Sequence, residues 1–244
     1  MSSIAVSREG DGPEVLLIHG GASAATTWSG LEPLAARFTL AYAHRRGYAP
    51  SPEAIGGRQD FEVEADDLSG LLDGRPHVVA HSYGSLGALI AATRRPELVR
   101  SLTVIEPPLY LDAGDPEVAR LEHMGNAVLT DGLDADPAIL REFLTLAGAP
   151  VVEGEPLSQD VARGVRRAHG SRLPSDARPA LDVVRAARVR TLVASGGHAA
   201  ALERICDTLA AKLDAERVIA PGAGHFVAAA PGFAERLEEF LRAS

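Results

Sequence analysis

The 244-residue sequence predicts an α/β protein whose mostly parallel sheet is interrupted once by a block of helices. Short apolar runs alternate with amphipathic segments near both ends of the chain, which is the pattern of a parallel sheet covered by helices. Between 109 and 187 the strand signals disappear and helical segments take their place. We therefore expect one α/β core formed by residues 1–108 and 188–244, with residues 109–187 as a helical insertion.

The composition narrows the classes of function. The chain is 46% hydrophobic and 23% charged, which is typical of a globular protein in water. Its net charge of −9 argues against a nucleic-acid or anionic-membrane partner and favours solubility. The single cysteine, Cys206, excludes an internal disulfide, and we see no leader-like or membrane-spanning run. We expect a cytoplasmic protein and leave its oligomeric state open.

Four strands are predicted in the first half of the chain. Residues 15–18 form a continuous apolar run, as expected of a strand buried on both faces, and residues 4–6 alternate weakly before it. Trp28, Leu31 and Leu34 lie on one helical face and predict a helix over 27–38. The other predicted elements of this half are strands 38–43, 77–80 and 101–105, helix 61–72, and a helix that ends near Arg94.

The second half begins with helices and returns to alternation. The predicted helices of the insertion are 116–129, 137–147, 157–168 and 179–187, separated by Gly, Pro and Asp. After them come strand 191–194, helix 200–213, strand 217–220 and helix 231–241. Ligands bind beyond the carboxyl ends of parallel strands. Residues at or just beyond the ends of predicted strands can therefore converge there: His19, Ser82, Glu106 and His225.

Ser82 lies in the stretch that predicts covalent chemistry. The strand ending at Ala80 leads into Ser82 and Gly84, and Leu86 and Leu89 follow at helical spacing. A strand, a sharp turn at a serine between small residues, and a helix are the context of a G-x-S-x-G nucleophile elbow. Ala80 replaces the first glycine. An ordinary serine that caps a helix is the alternative for this stretch alone.

Four motifs together resemble the α/β-hydrolase fold family. They are Leu17-Ile18-His19-Gly20-Gly21, Arg46-Gly47-Tyr48 before Ser51, Ala80-His81-Ser82-Tyr83-Gly84, and Gly222-Ala223-Gly224-His225-Phe226. They follow the family's order and rough spacing over essentially the whole chain. The resemblance implies a doubly wound sheet of the α/β-hydrolase type. It also implies that residues 109–187 are a helical cap, inserted after the strand that ends at Glu106.

The resemblance also implies roles for individual residues. Ser82 is the expected nucleophile, and His225, in a loop near the carboxyl end, is its expected base. The backbone N–H groups of Gly21 and Tyr83 are the expected oxyanion-hole donors. His81, next to the nucleophile, is expected to pack rather than act as a base. A surface-loop histidine is the alternative for His225, and a simple tight turn is the alternative for the loop at Gly21.

The acid departs from the common pattern of the family. Relatives usually carry an Asp after the strand predicted at 191–194, but here that loop contains no carboxylate. Glu203 follows on the helix and is expected to face solvent. Some members place the acid one strand earlier, where Glu106 stands, so we expect Glu106 to complete a triad. A glutamate exposed at the cap junction is the alternative.

These observations predict a serine hydrolase that cleaves an ester-like bond (ester, lactone or thioester) of a small molecule through an acyl-enzyme. The alternatives are a non-hydrolytic enzyme of the same fold, such as a cyclase, lyase or acyl transferase, and a catalytically silent binder. No metal cluster, P-loop or dinucleotide fingerprint stands out, so we expect no cofactor and no metal.

Cap residues are candidates for the substrate site. The apolar candidates are Leu109, Tyr110, Leu121, Met124, Leu129, Phe143 and Leu146. The alternative for most of them is the core of the cap itself. An arginine cluster, formed by Arg163, Arg166, Arg167 and Arg172, could meet an anionic substrate or be a solvated helix face. The sequence favours the solvated face, because charged side chains on a helix usually face water.

Overall fold

A seven-stranded sheet forms the centre of the computed structural model, which describes residues 3–112 and 114–244. Three residues lie outside the described ones. They are Ala113, in the predicted cap, and Met1 and Ser2, which belong to the stretch in which no leader-like run is seen. The described strands follow the order β1-β3-β2-β4-β5-β6-β7, and β1 alone among them runs antiparallel to its neighbour. They are β1 (Val6–Glu9), β2 (Glu14–Ile18), β3 (Thr39–Ala43), β4 (His77–His81), β5 (Ser101–Ile105), β6 (Arg190–Ser195) and β7 (Glu216–Ile219).

Helices cover both faces of the sheet and fill the insertion. They are α1 (Ala24–Thr27), α2 (Phe61–Ser69), α3 (Gly84–Arg94), α4 (Pro116–Asp131), α5 (Pro137–Leu146), α6 (Gln159–Ala168), α7 (Leu181–Ala186), α8 (Ala200–Leu213) and α9 (Phe233–Arg242). None of these described helices is long and apolar enough to cross a membrane. The predicted fold class, a mostly parallel sheet with helices and one helical insertion, is confirmed.

Strand β2 explains why the sheet carries two separate cores. Leu16 and Ile18 face one layer of helices, whereas Val15 and Leu17 face the other, and all four side chains are buried. Alternate residues of a strand point to opposite faces, so an uninterrupted apolar run is what a strand covered on both sides requires.

The helix predicted over 27–38 is wrong. α1 ends at Thr27, and a short 3₁₀ turn over Glu32–Ala36 follows instead. Gly30 has a φ of +100°, and a Cβ there would lie 2.6 Å from the carbonyl oxygen of Ala228. The apolar spacing marked buried residues correctly, because Trp28 and Leu31 are in the core. The backbone at Gly30 nevertheless breaks the helix between them.

The insertion between β5 and β6 has a small core of its own. Side chains of α4, α5 and α6 pack together there, including Val128, Leu140 and Val165. A second cluster joins Leu121 of α4 to Leu202 of α8, which fixes this unit on the sheet domain. α7 packs differently, because its buried residues Leu181 and Val184 belong to the main core.

Candidate active site

Ser82 stands in a strained turn between β4 and α3. Its φ is +51°, in the left-handed region that serine rarely adopts. Its N–H donates to the carbonyl of Ile105 at 2.9 Å, which holds the turn against β5. A Cβ at Gly84 would lie 2.1 Å from the carbonyl oxygen of His19, and one at Gly20 would lie 2.7 Å from the Cβ of Ser82. Only glycine fits at both positions, so the turn requires the small residues around the serine.

His225 connects the serine to a carboxylate. It follows β7 in a loop shaped by Gly222 and Gly224, both at positive φ. Its Nε2 lies 3.1 Å from Oγ of Ser82, and its Nδ1 lies 2.5 Å from Oε2 of Glu106. The histidine is 8% exposed. Three residues from three separate loops therefore form one continuous chain of hydroxyl, imidazole and carboxylate.

Glu106 is a buried carboxylate at the end of β5. Its side chain is 0% exposed, and its φ of +44° is again in the left-handed region. Its Oε1 accepts the N–H of Gly196 at 2.7 Å. Burial by itself would raise the pKa of this carboxyl, but the contacts with His198 and His225 and the N–H of Gly196 lower its pKa to about 2. Glu106 is therefore ionised at neutral pH, and it does not face solvent.

His198 is a further neighbour of this carboxylate that sequence reasoning missed. Its Nδ1 lies 3.4 Å from Oε1 of Glu106, and its Nε2 lies 3.1 Å from the carbonyl oxygen of Leu146 at the end of α5. The contact with Glu106 raises the pKa of His198 against the opposing effect of partial burial. A protonated His198 can donate to both oxygens. One signal could have found it, since His198 stands in the loop after β6 where relatives usually carry their acid.

Three side chains, this carboxylate included, form the one group in the described part of the chain that could hold a metal ion. One ligand atom each from Glu106, His198 and His225 lies within 4.8 Å of the others. The Nδ1 of His225 and Oε2 of Glu106 are 2.5 Å apart, which is a hydrogen-bond distance. A metal ion would have to displace the shared proton and separate these two atoms. The geometry fits a hydrogen-bonded pair better than a ligand set.

The two residues expected to form the oxyanion hole lie in the wall of the cavity. Gly21 and Tyr83 both line the cavity that contains the serine. Neither N–H has a hydrogen-bond partner among the residues that the structure describes. Tyr83 directly precedes α3, and the N-terminal end of a helix favours negative charge. The hydroxyl of Tyr48 donates to the carbonyl of Gly21 at 2.8 Å, which fixes the second donor loop.

Comparison with known proteins identifies the family. The model described as "Alpha/beta hydrolase family" matches residues 15–238. This chain belongs to the α/β hydrolase family. The predicted family and enzyme class, a hydrolase of this fold, are confirmed.

Several relatives of this α/β hydrolase are known. The pimeloyl-[acyl-carrier protein] methyl ester esterase of Methylococcus capsulatus is 33% identical over 184 residues, which are 72% of this chain and 67% of that protein. The 2-(acetamidomethylene)succinate hydrolase of Mesorhizobium japonicum is 29% identical over 240 residues, which are 91% and 84% of the two chains. The crystal structure of an alpha/beta hydrolase from Sphaerobacter thermophilus has a TM-score of 0.67 and 25% identity, and covers 97% of this chain and 95% of that one.

Two other histidines of this α/β hydrolase lie beside the site, and neither is suited to be its base. Burial and the charge of His225 lower the pKa of His81 to about 3. Burial and the nearby Arg45 lower the pKa of His19 to about 3 as well. Both imidazoles are therefore neutral, and the Nε2–H of His81 donates to the carbonyl oxygen of His225 at 2.8 Å. His81 packs under the site and holds the backbone of His225.

The expectation that Glu203 faces solvent is wrong. Its carboxylate accepts hydrogen bonds from Oγ of Ser195 at 2.7 Å and from the N–H of Gly197 at 3.0 Å. It also lies 2.6 Å from a guanidinium nitrogen of Arg217. Helical spacing could not reveal these contacts, because the partners come from the end of β6, the loop that follows it and β7. Glu203 supports the loop after β6 but does not contact His225.

A cavity of about 690 Å³ opens above Ser82 and His225. Of the predicted lining residues, the structure places these in its wall: Tyr110, Leu121, Leu129, Phe143 and Leu146. The predictions for Leu109 and Met124 are wrong, because Leu109 is in the main core and Met124 packs between α4 and α8. Sequence spacing identifies buried residues but not which buried surface they join.

The four arginines of the predicted cluster do not all line the cavity. Arg163 and Arg167 line the cavity, whereas Arg166 is exposed and does not. Arg172 lies 3.5 Å from a carboxylate oxygen of Asp60 and does not line the cavity.

Proposed function

We propose that this α/β hydrolase is a serine esterase that cleaves a carboxylic ester of a small molecule. One observation carries the proposal. Oγ of Ser82 lies 3.1 Å from Nε2 of His225, whose Nδ1 lies 2.5 Å from the ionised Glu106. A nucleophile, a base and an acceptor that orients the base are the parts that covalent acyl transfer needs.

The first half of the reaction forms an acyl-enzyme. Glu106 holds the proton of His225 on Nδ1, which keeps the lone pair of Nε2 toward Ser82. Oγ of Ser82 attacks the ester carbonyl carbon while Nε2 takes the hydroxyl proton. The tetrahedral intermediate then collapses, the C–O bond to the alcohol breaks, and His225 gives its proton to the leaving alcohol.

The second half repeats these steps with water. His225 takes a proton from water, the resulting hydroxide attacks the acyl carbon, and the carboxylic acid leaves as Ser82 regains its proton. In both halves negative charge develops on the former carbonyl oxygen. The free N–H groups of Gly21 and Tyr83 are our candidates for stabilising it, and one such donor is typically worth about 3–4 kcal/mol.

We assign His198 a positioning role in this reaction. Its contact at 3.4 Å with Glu106 adds positive charge beside the carboxylate that orients His225. Its second contact, with the carbonyl of Leu146, connects that carboxylate to the end of α5. Residues 109–187 are the proposed cap, and the cavity beneath α4, α5 and α6 is the proposed substrate site.

One of the relatives supports an ester rather than a lactone or thioester. The Methylococcus relative is named as a methyl ester esterase. The silent-binder alternative rested on the missing acid after β6, and the buried Glu106 supplies a carboxylate in its place.

A fluorophosphonate probe tests the proposal, because it labels an activated serine covalently. We expect intact-mass detection to find one probe on the wild type and none on S82A, with unchanged melting temperatures. S7A is the control, since Ser7 is an exposed serine of β1. Turnover of short p-nitrophenyl esters should fall in S82A to the low level left by binding and oxyanion stabilisation. Labelling of S82A at the wild-type rate would overturn the proposal.

A further inference from the structure

One cation in the wall of the cavity has no carboxylate partner. Arg167 lies on α6, half-buried, and makes no ion pair or hydrogen bond with any residue that the structure describes. Its guanidinium carbon lies 4.3 Å from the centre of the Tyr48 ring. A half-buried guanidinium without a counter-charge is unusual in a protein of net charge −9.

The other charges around the cavity are matched. Arg45 lies 2.6 Å from a carboxylate oxygen of Glu64, and both are buried. Arg163 and Asp160 face one another at 3.3 Å on the exposed rim. Glu106 is held by His225 and Gly196. Arg167 is therefore the charge in this described wall that remains for a ligand.

The position of Arg167 suits the binding of an anion. The hydroxyl of Tyr48 is fixed on the carbonyl of Gly21, so the ring is a rigid support. Stacking uses the face of the guanidinium and leaves its in-plane N–H donors available for a carboxylate. Gly164 and Ala168 line the same wall, and a Cβ at Gly164 would have nothing within 4 Å, so space remains beside the donors.

We propose that Arg167 binds a carboxylate of the substrate, so that the preferred substrates are esters that carry a second, ionised carboxyl group. This inference rests on the proposed esterase function and adds the class of substrate. An apolar cavity wall strengthens such a charge-assisted contact. We therefore expect kcat/KM for such an ester to exceed that for a matched neutral ester by roughly tenfold to hundredfold.

Matched ester pairs test the inference. On the acyl side, monoethyl adipate is compared with ethyl hexanoate, which has a methyl group in place of the carboxylate. On the alcohol side, 4-(butanoyloxy)butanoate is compared with butyl butanoate. Hydrolysis is followed by pH-stat, and the measured quantity is the ratio of kcat/KM within each pair. The wild type should prefer the anionic member of at least one pair by about tenfold or more, and the responding pair identifies the side that meets Arg167.

Variants of α6 show whether Arg167 is responsible. In R167Q the ratio should fall by at least about tenfold, and R167K should recover part of it, because lysine keeps the charge but not the planar fork. R166Q is the matched control, since Arg166 is the exposed neighbour on the same helix. We expect it to leave the ratio unchanged. A wild type that prefers the neutral ester in both pairs, or an R166Q effect equal to that of R167Q, would overturn the inference.

A binding measurement separates this inference from the esterase proposal. Adipate should raise the melting temperature of S82A, which cannot turn over, and should not raise that of S82A/R167Q. Absence of any shift in S82A, with fluorophosphonate labelling of the wild type intact, would refute the carboxylate site alone. Absence of labelling, with the adipate shift present, would refute the esterase proposal alone.

Discussion

Replacing Glu106 with glutamine tests how the carboxylate orients His225. Oε1 of Glu106 accepts the N–H of Gly196 at 2.7 Å, and Oε2 faces Nδ1 of His225 at 2.5 Å. In E106Q the amide oxygen must stay on the Gly196 side, because an NH₂ group there would face another donor. The NH₂ group then faces His225, and Nδ1 has to accept. The ring would carry its proton on Nε2, toward Ser82, and could not take the hydroxyl proton.

The expected loss follows from the charges involved. A carboxylate and an imidazolium with centres roughly 4 Å apart attract by about 4 kcal/mol at an effective dielectric constant of 20. Each 1.36 kcal/mol is a factor of ten in rate, so this attraction corresponds to about a thousandfold. Changing the corresponding acid to its amide in a serine protease costs about ten-thousandfold. We expect kcat of E106Q to fall at least about a hundredfold, with KM little changed.

Steady-state hydrolysis of p-nitrophenyl butyrate and the rate of fluorophosphonate labelling measure this loss. E203Q is the matched control, because Glu203 is the carboxylate next to the usual acid position and binds Ser195 and Gly197 instead of His225. We expect E203Q to stay within about threefold of the wild type. Retention of more than about a tenth of kcat in E106Q, or an equal loss in E203Q, would refute the reasoning.

The same variant has a signature in the pH dependence of stability. The folded protein lowers the pKa of Glu106 from 4.5 to about 2, so the carboxylate stabilises the fold above about pH 4.5. That contribution is lost as the pH falls through about 2. The difference in melting temperature between wild type and E106Q should therefore narrow on acidification below about pH 4.5. A difference that stays constant down to about pH 3 would contradict the depressed pKa.

Two further predictions concern His198 and the glycines. H198A should lower kcat about threefold to tenfold and move the acid-induced loss of folding stability to higher pH, because loss of His198 raises the pKa of Glu106. H198N, which keeps a donor near Nδ1, should recover most of the loss of kcat, and a fall in melting temperature without that movement along the pH axis would contradict the positioning role. G164A should raise the melting temperature by about 2–4 °C, since alanine favours a helix interior by up to about 1 kcal/mol and its Cβ meets nothing within 4 Å. G84A should lower the melting temperature, because its Cβ would lie 2.1 Å from a carbonyl oxygen. A thermal melt in which G164A is less stable and G84A more stable than the wild type would contradict both predictions.

Two turns show which features of the backbone depend on local sequence and which depend on distant parts of the chain. The spacing around Ser82 predicted a tight turn, and the left-handed φ of that serine agrees with it. The helix predicted over 27–38 failed at Gly30, where the carbonyl of Ala228 approaches from a distant part of the chain. Apolar periodicity records which residues are buried, so Trp28 was placed correctly in the core while its backbone was not.

Glu106 and Glu203 show the same difference between what local sequence and what tertiary contacts determine. Glu106 was expected from its place after a strand, but its burial and its contact with Gly196 depend on β5 and β6 being neighbours. Glu203 was expected to face solvent, and Ser195, Gly197 and Arg217 hold its partly buried carboxylate instead. Helical spacing describes one element at a time, so it could not include partners from neighbouring elements.

The sequence by itself determined the order of strands and helices, the turn at Ser82 and the family, because these depend on neighbouring residues and on short motifs. The tertiary structure alone decided that His198 reaches Glu106 and that Arg167, rather than Arg166, faces the cavity. These contacts join residues far apart in the chain. Their geometry is set by which loops meet beyond the carboxyl edge of the sheet and by how α6 packs over them.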